Sequence, residues 1–141
     1  KFPDGMDWYF SQVLYGTDVC DYKIRSISND ENQSPRGFLS NLEDCSTVED
    51  EHKKYKNRVV VERAEGIKVP VDIELTFEGG IKKLYNWDGQ NRSYDITLHS
   101  DKKVINAKVD PDFKVMLDKN FINNSLSREK QSNGIKSLLK R

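Results

Sequence analysis

Two cysteines and two histidines are the side chains best suited to metal or redox chemistry: Cys20, Cys45, His52 and His99. Structural zinc sites usually take their ligands from closely spaced pairs, and these four residues form no such pairs. A disulfide between Cys20 and Cys45 is favoured over a zinc site, but it requires an oxidising compartment. We therefore expect no metal ligand, no cofactor-binding residue and no cofactor in this chain.

Catalytic motifs are also missing from the sequence. It contains no His-Glu-x-x-His pattern of a zinc metallopeptidase, no Gly-x-Ser-x-Gly nucleophile turn and no phosphate-binding glycine loop. Asp110 and Asp112 form an acidic pair that suggests acid–base chemistry. Because Pro111 lies between them, we expect these acids to be turn residues that accept hydrogen bonds from the backbone. The sequence therefore predicts no catalytic residue.

Three aromatic residues could form a binding platform for sugars or peptides. They are Tyr85, Trp87 and Tyr94, on two neighbouring predicted strands. Packing in the core, with Trp87 at the end of a hairpin, is the favoured interpretation of the same pattern.

Composition narrows the function classes. The chain has 141 residues, 35% of them apolar, and this length suits one domain. Its 23 basic and 23 acidic residues give zero net charge, which argues against nucleic-acid binding because such proteins need a basic surface. No run of about 18 apolar residues is present, so we expect no transmembrane segment. The chain starts with Lys1 rather than Met, which favours a processed chain or a fragment. The compartment stays open, and an extracytoplasmic or membrane-associated parent protein is compatible with the sequence.

Apolar residues recur at helical spacing near the start of the chain. These residues are Met6, Tyr9, Phe10, Val13 and Leu14. They predict an amphipathic helix over 4–16, too short to be stable alone, so it must pack on another surface. That surface is either the domain that follows or a body upstream of this chain, and the missing Met favours the second. We assign 1–17 as the terminal helix of a missing upstream domain, with Met6, Phe10 and Val13 at the interface.

Alternation of apolar and polar residues, typical of half-buried strands, occurs in seven segments. By number, these segments are 20–27, 58–61, 69–77, 81–87, 94–98, 105–109 and 113–117. The short turns between most of them require antiparallel neighbours, and strands with one apolar face must be covered by a second sheet. We predict a mainly β fold, an immunoglobulin-like antiparallel β-sandwich of about seven strands, with a closed barrel as the alternative.

The domain organisation follows from these segments. The β-sandwich domain is expected over 18–125, with a long polar loop at 29–56. Residues 126–141 carry five bases and one acid and are expected to form a flexible basic tail, with a membrane-surface helix as the alternative. A charge at Ile73 or Val115 is expected to unfold the domain, whereas a charge at Glu74 is not.

Several short motifs, in this order and spacing, resemble the bacterial relatives of the aminopeptidase N family of zinc metallopeptidases. The segment 7–17, followed by Asp21-Tyr22, resembles the end of the catalytic region in that family. The remaining motifs resemble the β-domain that follows it: Val69-Pro70-Val71-Asp72-Ile73, Phe77-Glu78-Gly79-Gly80, Trp87-Asp88-Gly89, Val109-Asp110-Pro111-Asp112, Leu117-Asp118-Lys119-Asn120 and Asn123-Asn124-Ser125.

The resemblance implies a function without a catalytic residue in this chain. In that family the zinc ligands and the catalytic Glu lie upstream, in a thermolysin-like domain, and no position here matches them. The chain is then a non-catalytic accessory β-sandwich that supports the catalytic body and helps to shape substrate access. Its partner is the upstream catalytic domain, which would hold the zinc. The alternative is a free-standing carbohydrate-binding or adhesion module, which requires Tyr85, Trp87 and Tyr94 to be exposed.

Overall fold

The alternating segments form two antiparallel sheets, which confirms the predicted fold class. The computed structural model describes residues 5–32 and 53–128. One helix, α1 (Asp7–Val13), precedes the strands. The seven strands of the described residues are β1 (Tyr22–Glu31), β2 (Tyr55–Arg63), β3 (Val71–Phe77), β4 (Lys82–Trp87), β5 (Ser93–Ser100), β6 (Val104–Val109) and β7 (Ser125–Ser127).

The strand order is that of an immunoglobulin-like sandwich with one strand exchanged. One sheet has the order β1-β2-β5 and the other β4-β3-β6-β7. In a constant-type immunoglobulin domain the fourth strand pairs with the fifth, whereas here β4 pairs with β3. The two sheets share no ladder among the described residues, so the structure is a sandwich rather than the alternative closed barrel.

The core lies between the sheets, where the alternation of β3 places every second side chain. Val71, Ile73, Leu75 and Phe77 are at most 3% exposed, and the residues between them are half-buried. Val59 of β2 is fully buried opposite this face. Burying each of these side chains contributes about 1.5–3 kcal/mol before conformational entropy is subtracted.

The first two strands extend into the segment predicted as a polar loop. β1 continues to Glu31, which pairs with Tyr55 at the start of β2, so both ends of 29–56 are in a ladder. Polar residues are tolerated there because Asn57, which is fully buried, donates hydrogen bonds to Ser100 Oγ (2.8 Å) and to the Lys102 carbonyl (3.1 Å). The rest of the predicted loop lies outside the described residues.

The seventh strand is not the predicted one. The prediction of a strand over 113–117 is wrong, and the strand that pairs with β6 is β7. Asp110 (φ 48°) and Phe113 (φ 55°) turn the chain away from the sheet. The Asp110 carboxylate then accepts the backbone N–H groups of Lys114 and Val115, so these groups are not available to a ladder. β7 thus spans the position where the tail was predicted to begin, and 129–141 lies outside the described residues.

Candidate docking face at the helix-bearing end

The helix α1 lies on the sandwich and is held by one polar side chain. The backbone N–H of Lys68 donates to Gln12 Oε1 (2.8 Å), and Gln12 Nε2 donates to the Lys68 carbonyl (3.3 Å). Trp8 and Tyr9 are partly buried against the core on the same side. The helix therefore contacts the domain that follows it, and its assignment to a missing upstream domain stays a prediction.

Contact with the sandwich leaves much of the apolar face of α1 uncovered. No residue of α1 is fully buried. Of the three predicted interface residues, Met6 and Val13 are half-buried and Phe10 is 44% exposed. Leu14 and Tyr15, which the sequence did not single out for the interface, are 66% and 85% exposed. The free part of this face extends beyond the helix end at Val13.

A second apolar segment lies beside α1. Met6, Trp8 and Tyr9 share a groove of about 430 Å³ with Val69, Pro70 and 114–117. Met116, at the edge of this groove, is 83% exposed. Further along, Ile122 is 89% exposed and the rings of Phe113 and Phe121 meet at 5.8 Å. The sequence interpretation missed this segment because 113–117 was assigned to a strand with a buried face.

The exposed apolar residues of the described chain are concentrated in these two segments. Nine of its eleven exposed large hydrophobic residues fall within 10–19 and 113–122: Phe10, Leu14, Tyr15, Val19, Phe113, Met116, Leu117, Phe121 and Ile122. We call these nine residues the apolar end. The other two, Ile81 and Leu84, lie on the turn before β4 and on β4 itself.

A buried polar cluster holds the 113–122 segment against the start of β1. Asp118, which is 6% exposed, accepts the backbone N–H of Tyr22 (3.1 Å) and Asn124 Nδ2 (3.1 Å) through one oxygen, and the N–H of Asn120 (2.8 Å) through the other. Asn123 Nδ2 donates to Asp21 Oδ1 (2.9 Å). The last two motifs of the family resemblance therefore serve the scaffold in this structure.

The acidic pair around Pro111 is not arranged for acid–base chemistry. Asp110 is 5% exposed and accepts the N–H groups of Lys114 (2.9 Å) and Val115 (2.7 Å). Asp112 is exposed and pairs with Lys114 Nζ at 3.2 Å. The interpretation of Asp110 as a turn residue that caps backbone groups is confirmed. Asp112 forms an ion pair instead.

Of the four cysteine and histidine residues, the structure describes Cys20 and His99. Cys20 is 1% exposed, and burial, together with Asp118 and Asp21, raises the pKa of its thiol to about 12. A thiol with so high a pKa is protonated at neutral pH and is a poor nucleophile or ligand. Cys45 and His52 lie outside the described residues, so the Cys20–Cys45 disulfide stays a prediction. Within 5–32 and 53–128, no group of three or more His, Cys, Asp or Glu residues could hold a metal ion.

The aromatic residues form part of the core rather than a platform. Trp87 is 3% exposed, stacks on Tyr94 at 5.8 Å and meets the edge of Tyr22 at 5.4 Å. Tyr85 and Tyr94 are half-buried. The core interpretation of Trp87 is confirmed.

No family model, curated protein or solved structure matched this chain. Its resemblance to the aminopeptidase N relatives stays a prediction from its motifs. In the part of the chain that the structure describes, no helix has the length and apolar character needed to cross a bilayer.

Proposed function

We propose that this chain is a non-catalytic accessory β-sandwich domain of a zinc metallopeptidase-like protein, and that its apolar end docks on the catalytic body. The observation that supports the proposal is the exposure of nine large apolar side chains in two adjacent segments. The two segments meet at the groove between α1 and 114–117, and exposed apolar surface of this kind marks sites of protein interaction. The identity of the partner rests on the motif resemblance.

Burial on docking supplies the driving force. Met116 and Ile122 project from the 113–122 segment, and Tyr15 follows α1; each is more than 80% exposed. Covering a side chain of this size contributes about 1.5–3 kcal/mol, so a few of them suffice as the centre of an interface. The buried hydrogen bonds of Asp118 hold the segment in place, so little additional ordering is needed on docking.

Catalysis belongs to the partner in this proposal. The only buried nucleophilic thiol of the described residues, Cys20, is kept protonated, and Asp110 is engaged with backbone N–H groups. Zinc would be bound by the catalytic body, and this domain would support that body and shape access of the substrate to its cleft. The alternative of a carbohydrate-binding or adhesion module has less support, because Trp87 is buried.

The first test asks whether this chain itself hydrolyses peptides or binds zinc. The 141-residue chain, purified with and without added zinc, is assayed with aminoacyl amides and a peptide mixture. We expect no turnover and no stoichiometric zinc. Zinc-dependent hydrolysis by this chain would overturn the proposal.

The second test concerns docking. The genomic region that encodes Lys1 is expected to encode, in frame and upstream, a body with a His-Glu-x-x-His motif; a neighbourhood without a metallopeptidase would contradict the proposal. That body is then titrated with the 141-residue chain carrying Met116→Asp and Ile122→Asp. We expect binding to weaken by a factor of about 100 or more, from the loss of two buried side chains. The matched control carries Ile81→Asp and Leu84→Asp, also exposed apolar residues, and should bind as the unmodified chain does.

A further inference from the structure

Basic residues collect at the end of the sandwich opposite α1. This end is formed by the close of β1, the start of β2, the β3–β4 and β5–β6 turns and the close of β7. We call its eight bases the basic end: Lys53, Lys54, Lys56, Lys82, Lys83, Lys102, Lys103 and Arg128. Its four acids are Asp30, Glu31, Glu78 and Asp101, so its net charge is +4.

Three of these cations have no carboxylate partner within 5–32 and 53–128, whereas Lys82 of the same end pairs with Glu74 at 3.1 Å. Arg58 pairs with Asp95 and Lys119 with Glu65 (2.8 Å) on other parts of the surface. Within the described residues, Lys102, Lys103 and Arg128 form no ion pair; Lys103 Nζ instead lies 4.9 Å from the centroid of the Tyr55 ring. Unpaired surface cations are free to neutralise an external anion.

Three of the cations surround one depression. Lys103 and Arg128 line a cavity of about 700 Å³ together with Asn29, Glu78 and Gly79. Lys102 Nζ lies 3.0 Å from where a Cβ of Gly79 would be, so it borders the same cavity. Glu78 is the only acid in the lining, and its Oε2 accepts the backbone N–H of Lys103 at 3.4 Å. A guanidinium and two ammonium groups around an open cavity suit a phosphate group.

We propose that the basic end binds the headgroup phosphates of anionic phospholipids and that the domain rests with this end on a membrane surface. The position at which the chain leaves β7 favours a bilayer over a small phosphate compound as the ligand. β7 closes at this end, and the 129–141 segment that follows adds four bases and one acid. A small ligand would fill the cavity alone, whereas a charged surface can engage the cavity and its basic rim together.

The net charge of the basic end stays positive when the two segments attached to it, 33–52 and 129–141, are included. The 33–52 segment, which connects β1 and β2 at this end, contains five acids and one arginine. The basic end with both attached segments therefore keeps a net charge of +3, and the remainder of the protein carries −3. The proposal does not depend on the proposed function, because the apolar end and the basic end are at opposite ends of the sandwich.

The test measures partitioning of the full 141-residue chain onto vesicles. Phosphatidylcholine vesicles are compared with vesicles that also contain phosphatidylserine, by co-sedimentation at low and physiological salt. We expect binding only to the anionic vesicles and weaker binding as salt rises. Replacing Lys102, Lys103 and Arg128 together by Gln should weaken partitioning roughly 100-fold, from about 1 kcal/mol for each cation near the surface.

The matched control removes the same charge from the opposite end. Lys68, Arg92 and Lys119 are replaced together by Gln, and this variant should partition as the unmodified chain does; an equal loss in both variants would show a net-charge effect and overturn the proposal. The proposal would also be overturned if the triple variant of Lys102, Lys103 and Arg128 still bound anionic vesicles while deletion of 129–141 abolished binding. So would a preference for inorganic phosphate in competition at equal phosphate concentration, or tighter binding to duplex DNA than to the anionic vesicles.

Discussion

The hydroxyl of Tyr22 joins the two sheets, and its removal should destabilise the domain. Tyr22 is 1% exposed at the start of β1. Its hydroxyl donates to the Val69 carbonyl (2.8 Å) and accepts the Val69 N–H (3.0 Å), just before β3 of the other sheet. One side chain thus satisfies both backbone groups of Val69, which is itself 5% exposed.

The expected loss of stability follows from the backbone groups that Tyr22→Phe leaves without a hydrogen-bond partner. The ring is kept, so its contact with Trp87 at 5.4 Å survives and no large cavity forms. The N–H and C=O groups of Val69 lose their partner, and a buried unpaired polar group costs about 1–3 kcal/mol. We expect about 2–4 kcal/mol of lost stability in total, because the two groups partly relax toward other partners.

Urea denaturation followed by tryptophan fluorescence measures this loss. The midpoint should fall while the m-value stays constant, since the surface exposed on unfolding is unchanged. Tyr94→Phe is the control: Tyr94 also touches Trp87, but its hydroxyl has no hydrogen bond within the described residues, so its removal should change stability by less than about 0.5 kcal/mol. A Tyr22→Phe midpoint equal to that of Tyr94→Phe would refute the reasoning.

Two further predictions concern burial. Ile73→Asp should abolish cooperative unfolding in circular dichroism, because Ile73 is fully buried, whereas Glu74→Lys should remain folded; a folded Ile73→Asp protein would contradict the assigned core. Val115→Asp should be milder than the sequence predicted, since Val115 is only half-buried, and a complete loss of folding would show that it is packed more tightly than the structure indicates. Burial raises the pKa of Cys20 from 9.0, and that of Tyr22 from 10.0, to about 12 in the folded protein. The two protonated side chains therefore contribute their full stability below about pH 9, and this contribution is lost as pH rises toward 12. Thermal melts of the unmodified chain should show destabilisation that begins at about pH 9. In Cys20→Ala only Tyr22 remains, so the onset should move to about pH 10, and an unchanged onset would contradict the assignment.

Much of the sandwich could be predicted from local alternation. The period-two pattern around Ile73 predicted β3 and its buried face, and Trp87 was expected in the core. The same rule failed at 113–117, where alternation is present but Asp110 takes the backbone N–H groups that a strand would use. A side chain that competes with the ladder for these groups leaves no trace in the apolar pattern.

The exposed apolar surface was predicted only in part. Helical spacing pointed to Met6, Phe10 and Val13, all on or next to α1, because amphipathicity can be read from one segment alone. Met116 and Ile122 could not be found in this way. Their exposure depends on Asp118, which fastens their segment to Tyr22, 96 positions away in the sequence.

The amino-acid sequence by itself determined that this chain forms strands with one apolar face, and hence two sheets that cover each other. That information is local, since it lies in the alternation of neighbouring side chains. Only the tertiary structure decided that β4 pairs with β3, that Tyr22 bridges the sheets, and that apolar and basic surfaces face opposite ends. These features arise from contacts between distant parts of the chain, whose geometry depends on the packed whole.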